Sequence, residues 1–203
     1  MHEGDAASRP PLPPRDRIVA TARELFREHG VRGVGVDAIA ERAGTNKMTL
    51  YRHFGSKGDL VVACLRGYAA EFEEVWAGIE RASPGDPAGQ LRAWVRGAAE
   101  YAAGDGRCCE ISNIAVELAG EDHPARRVIE ELKLAHRDRL AGLCGAAGVA
   151  EADLLADTLT MLLEGARVSR QCAGGSEGPG TRFQRAADKV LRAFAAGAAP
   201  PAA

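Results

Sequence analysis

Thr45, Asn46, Lys47, Thr49, Tyr51, His53 and Lys57 fall within thirteen positions, with Leu50 among them. These side chains carry hydroxyl, amide, imidazole and ammonium groups. Together they suit hydrogen bonding to base edges and neutralisation of phosphates, and we take all eight as candidate DNA contacts. A second, dispersed set is Trp94, Tyr101, Cys109, Asn113, Glu117, His136, Met161 and Glu164. It mixes aromatic and polar groups on otherwise apolar segments, the composition of a small-molecule pocket. Cys108 and Cys109 are adjacent, so a disulfide between them would be strained, and no C-x2-C or H-x3-5-H spacing completes a zinc site. Thiol or metal sensing through this pair stays as the alternative reading. No P-loop, dinucleotide glycine fingerprint, H-E-x-x-H or G-x-S-x-G is found, so the residues point to a binding protein and not to an enzyme, with no cofactor implied.

The elements that must position these groups are helical. Aromatic residues make up 5% of the 203-residue chain and Ala, Leu, Arg and Glu are abundant in it, a composition that favours helix over sheet. Ile18, Val19, Ala22, Leu25 and Phe26 form one helical stripe ending at His29 and Gly30. A short helix over about 36–43 stops at Gly44, and a third begins at Asn46, a good N-cap, and runs to Phe54. Two short helices joined by a tight turn make a helix-turn-helix, whose second helix enters the major groove. Ser56 and Asp59 resemble a capping box opening a long fourth helix, to about residue 81. Five further helices follow, over about 90–103, 110–119, 124–145, 151–172 and 181–197. The expected fold is all-α, about nine helices, with a three-helix head joined by helix 4 to a helical body.

The boundaries expected are an extended or disordered arm over 1–14, where four prolines fall between Pro10 and Pro14, a head over 15–60, a body over 61–197 and a flexible tail over 198–203. The stretch from Gly174 to Gly180 reads as a flexible loop. Charge divides the same way. The formal net charge is −2, yet residues 15–57 hold nine Lys/Arg against five Asp/Glu, a basic head on an acidic body. Five cysteines cannot all pair within one chain, the N-terminal stretch lacks an apolar signal region, and no apolar run is long enough to span a bilayer. The expectation is a reduced, cytoplasmic protein with no membrane partner. The last two helices are greasy over wide arcs and want two neighbours each, which predicts a homodimer through about 151–172 and 181–197.

Over about residues 12–72 the chain resembles the DNA-binding region of TetR-family (TetR/AcrR-type) transcriptional regulators. The motifs that carry the resemblance are AxxLFxxxG (Ala22 to Gly30), DxIAxxAG (Asp37 to Gly44), LYxHF (Leu50 to Phe54) and SKxxL (Ser56 to Leu60), in order and at the family's spacing. Gly35 departs from the Ser or Thr that usually caps helix 2. Further on, Cys109, Asn113 and Glu117 match a stretch seen in one subgroup, with Cys108 and Glu110 departing from it. The resemblance implies a repressor that binds a pseudo-palindromic operator in double-stranded DNA as a homodimer. It also implies release by a small effector, apolar or aromatic in character, held among the helices of the body. A protein-interaction module without a DNA role is the reading from a different class.

Overall fold

A computed structural model describes residues 12–104, 109–120, 122–172 and 177–197. Among these residues every regular element is helical: α1 Pro14–His29, α2 Val36–Arg42, α3 Lys47–Phe54, α4 Lys57–Ala82, α5 Pro87–Ala103, α6 Glu110–Glu117, α7 Ala125–Ala146, α8 Ala152–Cys172 and α9 Pro179–Gly197. Most of the expected 1–14 arm and all of the 198–203 tail lie outside the described residues, as does Cys108. Pro14 is not arm but the first residue of α1, where a missing N–H and a fixed φ are tolerated.

The chain divides into two compact units, residues 1–64 and 65–203. In the first, α1 to α3 and the opening of α4 bury Ile18, Ala22, Ile39, Leu50, Leu60, Val61 and Cys64 completely or nearly so. α2 ends in a Schellman motif: Gly44 N–H donates to the Glu41 carbonyl and Thr45 N–H to the Ala40 carbonyl, both near 3 Å. Gly44 sits at φ +62°, where a Cβ would be strained, so this turn requires a glycine. The Arg17 Nε of α1 adds a hydrogen bond to the Ala43 carbonyl at 3.3 Å. The helix-turn-helix bend is therefore fixed from two sides.

In the second unit the core gathers Trp76 and Ile79 of α4, Leu91, Trp94 and Val95 of α5, Leu140 and Cys144 of α7, Leu155 and Leu159 of α8, and Phe183 of α9. α5 begins at Pro87 and not near 90, because Asp86 caps it by accepting from Gly89 N–H at 2.9 Å and proline suits the first turn. α9 likewise opens at Pro179, two residues earlier than expected, so Pro179 and Gly180 belong to a helix and not to the flexible loop. Gly180 is there for closeness: a Cβ would come within 2.4 Å of the Ala99 carbonyl oxygen of α5. Arg137 of α7 grips α8, donating to both carboxylate oxygens of Asp157 at 2.8 and 3.1 Å and to Asp153 at 2.6 Å.

Candidate nucleic-acid interface and effector site

α3 follows the Gly44 turn and is capped by Asn46, whose Oδ1 accepts from the Thr49 N–H at 2.8 Å. Its two buried residues, Leu50 and Phe54, point into the head core at 0% and 7% exposure. The opposite face carries Lys47, Met48, Tyr51, Arg52 and His53, all exposed, with Thr45 and Thr49 half-buried at its edge. One face therefore anchors the helix and the other is free to enter a groove.

Two of the expected contacts change role. Leu50 is a core residue, because helical rotation of about 100° per residue separates it from the exposed Tyr51 beside it; its side chain is removed from the candidate interface. Lys57 is half-buried, and its Nζ donates to the Val31 carbonyl at 2.6 Å, tying the first turn of α4 to the segment after α1. We read it first as a structural clasp. Lys47 stays at the surface but its Nζ meets Asp37 Oδ2 of α2 at 3.0 Å. That hydrogen bond, with the charge of Asp37, holds the ammonium pKa above its ordinary value. Met48 was not foreseen. It is 83% exposed, the most exposed of the large apolar residues described. Being apolar, it was passed over where polar types were sought; its place opposite Leu50 and Phe54 was the available signal.

In the second unit the structure joins some of the dispersed residues and separates others. His136 of α7 stands among three aromatic rings, 5.3 Å from Phe72, 5.6 Å from Trp76 and 6.2 Å from Trp94. Its Nδ1 is buried without a hydrogen-bond partner. Desolvation, with the nearby charges of Lys133 and Arg139, lowers the imidazole pKa below 6.5, so the ring is neutral at pH 7. Lys133, one turn before His136, pairs with Glu164 of α8 and donates to Ser112 Oγ of α6 at 2.8 Å. Tyr101 lies under the Arg167 guanidinium, 3.6 Å from the ring centre, and its carbonyl accepts from Arg167 at 2.7 Å. Packing around the phenol and the neighbouring Cys109 push its pKa upward.

Cys109, Asn113 and Glu117 are half-buried along α6, whose solvent face is marked instead by Val116. Met161 departs from expectation. It is 71% exposed and shares an outward stripe of α8 with Leu154 and Val168, at seven-residue spacing, so it lines no interior site within this unit. Phe72, Trp76, Ser112 and Lys133 join the candidate site through contacts between helices far apart in sequence, which no local pattern displays. Among the described residues no group of His, Cys, Asp and Glu is arranged to hold a metal ion, and no helix is long and apolar enough to cross a membrane.

The depressed His136 pKa has a measurable consequence. The unfolded chain takes up this proton first, near pH 6.5, so the associated stability is complete above that value and is lost as pH falls toward the lower folded pKa. Asp157 contributes loss only under far more acidic conditions, since its hydrogen bonds from Arg137 hold its pKa below 3.8. We expect the urea midpoint of the second unit to drop between pH 7.5 and 5.5, and His136→Gln to flatten that slope. An unchanged slope in the variant would assign the pH dependence to other groups.

Comparison with known proteins places this geometry. Residues 18–64 match the family model described as bacterial regulatory proteins, tetR family. The chain is 42% identical over 52 residues to the HTH-type transcriptional activator FasR of Mycolicibacterium smegmatis, covering 26% of this chain and 24% of that protein. It is 37% identical over 70 residues to the HTH-type transcriptional repressor AcnR of Corynebacterium glutamicum, covering 34% of this chain and 37% of that protein. These matches thus span between about a quarter and two fifths of the curated relatives' length. Similarity of fold extends much further. The crystal structure of SCO4454, a TetR-family transcriptional regulator from Streptomyces coelicolor, superimposes with a TM-score of 0.80 at 28% identity, covering 89% of this chain and 95% of that one. The four head motifs, the capped helix-turn-helix and the match over residues 18–64 make the head a DNA-binding domain of the tetR family type, on a chain whose whole fold is similar to that of the TetR-family regulator SCO4454.

Proposed function

We propose that the protein is a sequence-specific DNA-binding transcriptional regulator, a repressor released from its operator by a small molecule, acting in the cytoplasm as a homodimer. The observation that carries this reading is α3: a glycine turn and a core anchor hold it so that a face of polar and cationic side chains, with Met48 among them, meets solvent in the most basic part of the chain. Lys47 and Arg52 supply cations, and His53 adds an imidazole. Tyr51 offers a hydroxyl to phosphate, and Thr45, Asn46 and Thr49 stand at the leading end, where base edges are read.

Leu154, Met161 and Val168 support the dimer. They form an apolar stripe along α8 that one subunit leaves in water, and a second copy would cover it. Two-fold symmetry would then present two α3 helices to two half-sites. The aromatic box of Phe72, Trp76 and Trp94 around His136 is the effector site we favour. Its rings would stack on a flat apolar or aromatic molecule, and the unpartnered Nδ1 offers one polar contact for orientation. Release requires the effector to bind the DNA-incompetent state more tightly. A coupling of about 1 to 3 kcal/mol changes operator affinity by about 5 to 150-fold.

The test is selection of tight binders from a random duplex library by the purified full-length chain, followed by titration of the selected duplex with wild type and Tyr51→Ala. The expected result is a symmetric motif, with Tyr51→Ala weakened about tenfold or more across sequences, as for loss of a hydrogen bond to a charged group. Failure to enrich any motif at any salt concentration would falsify the reading.

A further inference from the structure

We infer that Met48 is a base-reading residue, and that what it reads is the C5-methyl group of a thymine in the major groove. The inference rests on the DNA-binding function proposed above and assigns one determinant of its specificity. Met48 is the second residue of α3 and stands opposite the buried pair Leu50 and Phe54, with Arg52 one turn along the same face. At 83% exposure its thioether chain has almost nothing to pack against in the free protein. An unbranched apolar chain left in water at the leading end of a helix gains most from a partner that removes it from water.

The groove offers one apolar feature. Base edges there present donors and acceptors, except the thymine methyl, which accepts only an apolar contact. Lys47, the adjacent long side chain, is drawn back toward α2 by Asp37 at 3.0 Å. That leaves Met48 as the long side chain of the first turn with no tether, while Arg52 beside it is suited to phosphate.

The experiment uses the full-length protein and the duplex it selects. Each thymine of the half-site is replaced singly by deoxyuridine, which deletes the methyl and leaves every hydrogen bond in place. Wild type should lose about 3 to 5-fold in affinity at one thymine per half-site, the scale of about one buried methyl. Met48→Ala should bind the thymine and uracil duplexes equally at that position, and 5-methylcytosine placed there should bind wild type better than cytosine does. Because Met48 makes no core contact, the variant is expected to keep the wild-type unfolding midpoint. Two results overturn the inference while leaving DNA recognition intact: no thymine is methyl-sensitive, or the sensitivity persists in Met48→Ala. If no duplex is selected at all, the function proposed above falls and this inference with it.

Discussion

Phe183→Ala is expected to destabilise the second unit by about 3 to 5 kcal/mol. The ring is 2% exposed and leaves α9 to meet Trp94 of α5 edge-on at 6.5 Å, so truncation removes both buried area and an aromatic pair. Relaxation into the void is restricted, because Gly180 already brings α9 against the α5 backbone and the helices cannot close further. Domain stabilities are typically about 5 to 15 kcal/mol, so the loss is a large fraction of what holds the unit folded. Both tryptophans of the chain, Trp76 and Trp94, lie in this unit, so their fluorescence during urea unfolding reports on it alone. The midpoint should fall sharply with an unchanged slope. A shift under 1 kcal/mol would mean that α9 is not held through this residue.

Leu50→Ala is the corresponding change in the first unit, with an expected cost of about 2 to 5 kcal/mol. The head is small, and small units bury a lower fraction of their surface, so it has less stability to lose. Operator affinity should fall through loss of folded heads. Amide hydrogen exchange of α3 would rise in step with that fall. Leu50→Met, which roughly conserves volume, should cost less than about 1.5 kcal/mol and restore most of the binding. Tyr51→Ala should provide the contrast from the adjacent position: binding weakens about tenfold or more while exchange protection stays. If Leu50→Ala left exchange unchanged but abolished binding, Leu50 would have to be returned to the interface.

These neighbours also show what a linear chain reveals. Helix limits were legible wherever a local signal ended them, as at Gly30, Gly44 and the Ser56–Asp59 box, where Asp59 N–H donates to Ser56 Oγ at 3.0 Å. They were less legible where a cap competes with a breaker composition, as at Asp86 and Pro87. The head motifs are local and contiguous, so the polar face of α3 could be read directly. Leu50 was misplaced because residue type and adjacency stood in for rotation about the helix axis. The clasp made by Lys57 was not legible because its partner, the Val31 carbonyl, lies 26 residues back and is a backbone atom, for which sequence offers no signal. The box around His136 draws on α4, α5 and α7, so only folding brings its members together. Met161 sat on a stripe with Leu154 and Val168, visible as a seven-residue repeat, and that stripe faces outward and not into the pocket.

Cys64 and Cys144 are each 0% exposed, one in each unit. Burial pushes the Cys64 thiol up to about 12 and the Cys144 thiol to about 11, so in the closed state neither has appreciable thiolate to offer an alkylating reagent. Their reaction therefore waits on opening of the surrounding helices. The chain thus contains two internal chronometers of its own breathing. Peptide mapping after timed alkylation would read the opening of head and body separately within one molecule, with no mutation introduced.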